Sequence, residues 1–407
     1  MRFVGVCRAV SMRNFEAIVI GAGPAGCATA YDLADAGLRV LLLDKKSFPR
    51  LKPCAGALTI KAVKRVRYSI APVIKWVARD LEVNLPGKRS RFFKSDHPIA
   101  VMTVRQEFDA YCLEQTLRKG VLFQPIEDIA EISETQGGVT LTASGGERFH
   151  CGYLVGADGV NSRVRQLIGC ERVSRAVALE GNISGDRRGG TPAMRFDFGY
   201  VPGGYGWVFP KGAHLNVGLY TQRPGTKFSK NDLVEYARYA LGTDQIDRII
   251  GYPVGIGGEK YQAKRQRIFL AGDAAGMTER LLGEGIHNAL KTGQAAARAI
   301  VAAAGGGKSA LEQYRTDLEE IQLDLKACRA AANWFYDLRF LGLARWFPVP
   351  RGAALMRGFA AGMTFRDIMR TCLISRSYPV ELVGAVVEFE AAARELHTLC
   401  GSDGGRR

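Results

Sequence analysis

The sequence predicts an α/β fold: a dinucleotide-binding domain split along the chain, a mixed-sheet domain inserted into it, and a helical region after it. Three observations carry this. Residues 16–44 read strand, glycine turn, helix, strand and terminal acid, the order of a βαβ nucleotide-binding unit. A second buried-strand pattern, residues 267–276, ends on an acid roughly 230 residues later, so the domain is discontinuous. Between them, residues 173–220 are rich in strand-forming residues and in turns.

The first unit opens with the apolar run 17–20, followed by Gly21, Gly23 and Gly26 in G-x-G-x-x-G spacing. Gly21 permits the tight turn, Gly23 lets the backbone approach a pyrophosphate, and Gly26 lets helix and strand pack closely. The helix begins at Pro24 and Ala25, whose free N–H groups and dipole favour an anion. A second apolar run, 40–43, ends on Asp44, 18 residues after Gly26 and suited to accept from ribose hydroxyls. Lys45 follows it. A glycine turn in an ordinary βαβ unit is the plainer alternative, and the flanking elements make it the minority reading.

Composition bounds the rest. The 407 residues give a prior of two or three domains, and 47% apolar with 24% charged residues is a globular balance. The net charge of +16 favours an anionic partner, such as a phosphorylated substrate, nucleic acid or an anionic membrane, over a merely solvated basic surface only if a motif agrees. No nucleic-acid module is present. Nine scattered cysteines without C-x-x-C argue for reduced thiols in a cytoplasmic protein, against a zinc ribbon or a disulfide framework. Five dispersed histidines argue against a metal site. No apolar run is long enough to span a membrane. Residues 1–14 lack a secretory apolar segment and read as a flexible extension.

Along the chain, residues 45–59 form a Pro- and Gly-containing loop carrying Cys54 and Ala55, suited to lie against something flat. Taken alone, Cys54 is read as a small buried hydrophobe. Residues 61–81 read as a basic helix and 83–104 as strands. Arg105 opens a helix through Leu117 with apolar residues at helical spacing, and Gly137-Gly138 marks a hairpin. Residues 153–165 run from a strand into Gly156-Ala157-Asp158-Gly159 and a short helix capped by Asn161 or Ser162. Its carboxylate and two arginines suit hydroxyls and phosphates. Residues 200–212 place Tyr205, Trp207, Phe209 and Lys211 on one strand. They form an apolar cavity wall beside an anion contact or, equally well from the residues alone, a sheet core with a solvated lysine. Gly272 and Asp273 end a buried strand, and Gly283, Glu284, Gly285 and Ile286 start a helix through about residue 304. After a glycine hinge at 305–308, residues 310–399 are helical. Within them, 326–376 hold nine basic and two acidic residues among many aromatics, which suits either a membrane interface or a basic outer face.

In combination these segments resemble the flavoprotein superfamily typified by para-hydroxybenzoate hydroxylase. Gly21-x-Gly23-x-x-Gly26 with Asp44 matches its first motif, Gly156-Ala157-Asp158-Gly159 its second and Gly272-Asp273 its third. Arg105-x-x-Phe108-Asp109 matches its arginine-bearing helix. Within that superfamily the chain is similar to the geranylgeranyl reductase family. Residues 48–58, FPRLKPCAGAL, resemble its F-P-R-x-K-x-C-G-G-x-L loop, and Tyr205-x-Trp207-x-Phe209-Pro210-Lys211-Gly212 matches its substrate motif throughout. Two departures stand out: Ala55 for a glycine, and the flavin-side loop GDAAGMTERLLGEG, where Met277 and Arg280 replace the family's Phe and Pro.

The resemblance implies a Rossmann-like FAD-binding domain (15–75, 105–170 and 261–304), an inserted mixed-sheet substrate domain (76–104 and 171–260) and a C-terminal helical region (305–407). It implies FAD as hydride carrier and a lipidic or isoprenoid alkene as substrate; no second complete dinucleotide fold is present, which fits transient docking of NAD(P)H and equally ferredoxin or another reductant as electron donor. It also places Cys54 over the flavin, Tyr205 and Trp207 in the lipid tunnel, and Lys211 at a headgroup or diphosphate. Cys54 and Tyr205 are the candidate proton donors. Arg280 is read as a contact to reduced flavin, a contact to an acidic substrate, or an outward-turned side chain. Peripheral contact with the inner membrane face is a further expectation. The competing expectations are a flavin-dependent monooxygenase or halogenase acting on an aromatic or natural-product substrate, and a non-enzymatic membrane-surface flavoprotein.

Overall fold

The structure is a computed structural model and describes residues 13–185, 193–338 and 352–374. Strand β1 (Arg13–Ile20), helix α1 (Pro24–Asp35) and strand β2 (Val40–Asp44) form the first βαβ unit, with β1 and β2 parallel. Residues 17–20 and 40–43 are buried without alternation, because both faces of this parallel sheet are covered.

Next come β3 (Ala57–Thr59), the single-turn helix α2 (Ile60–Val63), β4 (Ile74–Ala78), β5 (Asp80–Asn84), β6 (Arg91–Lys94) and β7 (Ala100–Thr103). The helix expected over 61–81 is therefore corrected to one turn, a 3-10 turn at Ala71–Val73 and two strands. Pro72 disfavours helical backbone at the residue before it, the Ser69 hydroxyl accepts from Ala71 N–H, and β-branched residues follow. Helix α3 (Arg105–Leu117), β8 (Leu122–Pro125), the hairpin β9 (Ile129–Thr135) and β10 (Gly138–Ala143), β11 (Arg148–Gly156) and α4 (Arg163–Leu167) complete the first half.

The second half holds β12 (Ser174–Ser184), β13 (Met194–Phe198), β14 (Gly204–Pro210), β15 (His214–Thr221), α5 (Lys230–Leu241), β16 (Asp247–Ile256) and β17 (Ile268–Leu270). Helices α6 (Ile286–Ala304), α7 (Ala310–Asn333) with a π-helical continuation at Trp334–Leu338, α8 (Gly352–Ala360) and α9 (Phe365–Ile374) follow. The expectations for residues 1–12, and for Arg339, Phe340, Arg345, Trp346, Phe347, Arg351 and Arg376, lie outside the described residues.

Three sheets organise these strands. The first runs β8-β2-β1-β11-β10-β9, with β17 parallel to β11. The second runs β16-β12-β15-β14-β13-β5-β6, and a small third sheet, β3-β7-β4, lies beside them. In the first sheet β17 completes a structure begun at β1, so distant segments build one nucleotide-binding layer. Helices α1 and α6 cover it at close range: the Thr29 hydroxyl donates to Ala25 O (2.9 Å) and lies 3.1 Å from Gly293 O on α6. The second sheet is buried on both faces at β14. Tyr205, Trp207 and Phe209 pack with Phe196 and Tyr220 on one side, and Val208 packs with Leu233 and Tyr236 of α5 on the other. The period of two along a strand thus aims the three aromatics of the motif together.

Candidate active site

A cavity of about 490 Å3 runs from the glycine turn after β1, past the 50–57 loop, to the aromatic face of the second sheet. At its first end, Gly21 adopts φ +101°, and a Cβ there would overlap Ala157 O on the neighbouring strand end. A Cβ on Gly26 would overlap Gly21 O, so the turn and the first helical turn are in direct contact. The N-cap of α1 is Gly23, which offers no side chain to the first helical N–H groups. The Arg50 guanidinium stands over Gly23, 3.4 Å from where a Cβ would be, and is anchored 3.1 Å from Asp109. A bare helix N-terminus with an arginine above it is suited to hold a phosphate. Asp44 lines the cavity, its carboxylate fixed by Ala22 N–H (2.7 Å) and Lys46 N–H (2.8 Å). Pro24, Ala25 and Lys45 line the same end.

The other predicted segments converge on this cavity. Asp158 lines it, but its carboxylate accepts from the Ser162 hydroxyl (2.5 Å), Arg163 N–H (2.6 Å) and Val164 N–H (3.1 Å). It therefore caps α4 and shapes the 156–159 turn, and Ser162 in turn accepts from Arg165 N–H. Arg105 does not border open space alone. It forms a two-pronged pair with Asp109 (2.8 and 2.9 Å) and faces the Cys54 thiol. Gly272 and Asp273 sit at the end of β17, where Asp273 accepts from the Thr278 hydroxyl (2.9 Å). Gly283, Glu284, Gly285 and Ile286 line the cavity just before α6, whose N-cap, Gly285, again offers no side chain. Glu284 pairs with Lys61 (2.6 Å) and accepts from the Thr59 hydroxyl. Burial would lower the Lys61 pKa, and Glu284 outweighs that and raises it.

Cys54 lies where the two ends meet. Its N–H donates to Glu180 Oε1 (2.7 Å), and its sulfur accepts from Gly56 N–H (3.3 Å). Burial raises the Glu180 pKa, opposed by that N–H and by Lys211. Ala55 takes part through its carbonyl, which accepts from Lys211 Nζ. Lys52 stands 3.4 Å over the Tyr252 ring, and burial lowers its pKa to about 8.

Lys211 is 4% exposed, and its ammonium donates to Ala55 O and Thr103 O (2.7 Å), pinning the 54–57 loop to β7. Tyr205 lines the cavity, its hydroxyl donates to Leu282 O and so holds the flavin-side loop, and burial raises its pKa well above the usual range. Arg280 does not line the cavity and is mostly covered: its guanidinium lies 3.7 Å from the buried Glu259, which also pairs with Arg329 of α7 (3.2 Å). Trp207 and Phe209 line the apolar end, and Trp207 donates to Asn216 Oδ1 (2.8 Å).

Phe196, Tyr220, Leu281 and Leu282, not singled out from sequence, complete the wall with Phe359 and Phe365, which the sequence offered only as aromatics of a membrane-facing or packed C-terminal region. Glu279 is buried beneath the loop and accepts from the N–H groups of Leu281 (2.6 Å), Leu282 (2.7 Å) and Glu284 (3.0 Å). Its only sequence signal was an acid in a loop otherwise read for its glycines. Among the described residues six cysteines are free, no group of three His, Cys, Asp or Glu is gathered, and no helix is long and apolar enough to cross a membrane.

The glycine turn, bare helix N-termini, anchored arginine and strand-end acid fit FAD, and with the fold they define an FAD-dependent oxidoreductase. Family models described as FAD dependent oxidoreductase and FAD binding domain match residues 16–52 and 93–186. The chain is 32% identical to an uncharacterized protein of Methanosarcina barkeri, covering 88% of this chain and 92% of that one. It is 30% identical to the geranylgeranyl diphosphate reductase of Rhodobacter capsulatus, covering 73% and 78%. The chain belongs to the geranylgeranyl reductase family. Its fold is shared by a geranylgeranyl bacteriochlorophyll reductase-like protein of Thermoplasma acidophilum (TM-score 0.66, 19% identity, 96% and 100% covered). It is also shared by p-nitrophenol 4-monooxygenase of Pseudomonas putida (TM-score 0.69, 20% identity, 90% and 100% covered).

Proposed function

We propose that the protein reduces carbon–carbon double bonds in the isoprenoid chain of a lipidic substrate. One observation carries the reading: a single cavity joins the nucleotide cradle to a wall of Leu81, Phe196, Trp207, Phe209, Phe359 and Phe365, a lining suited to a hydrocarbon chain. Bound FAD, when reduced, supplies the hydride. The chain's own residues orient the alkene and supply the proton. Arg50 and the N-terminus of α1 would hold the pyrophosphate, Asp44 the ribose, and the 283–286 turn the ring end. The aromatic wall excludes water and fixes the chain, which matters because an isolated alkene has no carbonyl to hold developing charge. Cys54 is the proposed proton donor: its sulfur accepts from Gly56 N–H and keeps its own S–H available.

With Lys211 inside the protein, the substrate's polar head stays at the cavity mouth, and the tail alone enters. The test is anaerobic. The reduced holoenzyme is mixed with geranylgeranyl diphosphate or a geranylgeranyl lipid, and the flavin absorbance and the lipid mass are followed. Flavin reoxidation with two daltons gained per bond supports the reading. Reduced flavin that ignores the lipid and instead hydroxylates or halogenates an aromatic in air would overturn it in favour of a monooxygenase or halogenase. The same assay started from oxidised enzyme with NADPH, NADH or reduced ferredoxin identifies the electron donor. Cys54→Ala is expected to retain FAD and lose lipid reduction at least about a hundredfold, the lower range for removing a positioned general acid.

A further inference from the structure

The flavin-side loop, residues 279–285, is held from three directions. From below, Glu279 gathers three of its N–H groups. From the second sheet, Tyr205 donates to Leu282 O and Tyr220 donates to Arg280 O (3.1 Å). From the C-terminal region, Tyr336 donates to Leu281 O (2.5 Å). Three hydroxyls thus occupy three consecutive carbonyls. The C-terminal region holds the loop a second time, because Arg329 of α7 and Arg280 of the loop share Glu259. Gln322 of α7 also donates to Gly258 O (3.0 Å) and Tyr261 O (2.6 Å), seating the helix on the segment that carries Glu259.

We infer that the C-terminal helical region positions the flavin-side loop, with Tyr336 and Arg329 as its positioning residues and Arg280 as the loop's half of the tether. Neither Tyr336 nor Arg329 borders the cavity. Their effect therefore reaches the cofactor only through the loop, whose residues 281–285 do border it. This also gives the unusual Arg280 a use. A proline there has no side chain to reach Glu259, whereas an arginine ties the loop to α7. The same region contributes Phe359 and Phe365 to the apolar wall, so one body of helices touches both the tail slot and the loop.

The experiment uses the full-length holoenzyme and three variants: Tyr336→Phe, Arg329→Met and Tyr236→Phe. Tyr236 is a buried tyrosine that donates to Asp197 (2.6 Å), packs on the face of the second sheet opposite Tyr205 and Tyr220, and controls for loss of an ordinary buried hydrogen bond. Tyr336→Phe and Arg329→Met are each expected to raise the FAD dissociation constant about fivefold, the ratio for one lost hydrogen bond. Both are also expected to shift the flavin midpoint potential to more negative values, as the helix-end dipole is held less firmly against the reduced ring. Tyr236→Phe is expected to lower the melting temperature and move neither readout. The inference is overturned if Tyr336→Phe and Arg329→Met leave both the dissociation constant, within twofold, and the potential at wild-type values. Arg329 is partly exposed, so its variant keeps the test decisive if Tyr336→Phe folds poorly. Both readouts are independent of which lipid the enzyme takes.

Discussion

Lys211, a motif residue in the sequence, is in the structure a buried clamp between Ala55 O and Thr103 O. Burial lowers its pKa to about 8, while Cys54 and Glu180 pull it back up. A lysine whose folded pKa lies below its unfolded value near 10.5 binds fewer protons when folded. Its contribution to stability therefore rises as pH goes from about 8 towards 10.5. The neutral amine still has two N–H groups for its two carbonyls. Urea unfolding of the wild type and Lys211→Met across pH 7.5–10 is expected to show the wild type gaining on the variant as pH rises; parallel curves would refute this. Lys211 was legible as part of Tyr205-x-Trp207-x-Phe209-Pro210-Lys211-Gly212, because a motif is a string. Its direction was not, because that depends on where Ala55 and Thr103, 156 and 108 residues away, end up.

At the scale of elements, those whose cause is local were legible. The run 17–20, the glycine spacing and the run 40–43 describe β1, α1 and β2, and Arg105 opens α3 as expected. The stretch 61–81 was not, because its basic residues mask a proline-broken turn and two strands whose partners are β7, β13 and β6. The glycine contacts give the element-scale prediction. Gly26→Ala places a methyl group against Gly21 O, where backbone cannot yield cheaply. The purified variant is expected to be colourless, with a flavin-to-protein ratio below about a tenth of wild type, as a shift of 1.4 kcal/mol already costs tenfold in binding. A yellow variant would show that the turn relaxes. Helix α6 carries a second consequence: His287 is buried among Lys61, Arg65 and Lys291, and burial first, then these cations, lower its pKa to about 2. The unfolded chain takes up that proton below about pH 6.5 and the folded one does not, so stability falls as pH drops through that range. His287→Gln is expected to flatten the fall in melting temperature between pH 7 and 5.

For the whole molecule, charge and shape combine. The chain carries a net charge of +16, and its cavity has an apolar end walled partly by the C-terminal helices. A lipid tail drawn from a bilayer while the basic surface rests on anionic headgroups accords with both. Co-sedimentation with anionic vesicles at low ionic strength, lost as salt is raised, is the expected result; equal recovery with neutral vesicles would remove electrostatics from the account. The fold class was readable at this scale because each flavin motif carries its own turn chemistry. The role of the C-terminal region was not, because Tyr336, Arg329 and Phe365 belong to no motif and gain meaning only beside residues 279–285.

The split first sheet has a consequence for synthesis. Strand β1 pairs with β11, which begins at Arg148, and β11 pairs with β17, which begins at Ile268. At a ribosomal rate of roughly 10 residues per second, the first apolar strand waits on the order of 10 s for one partner. The nucleotide cradle waits roughly 25 s for its last wall. During that interval β1 and β2 are an unfinished sheet whose open edge is the part of the nascent chain most prone to pair wrongly.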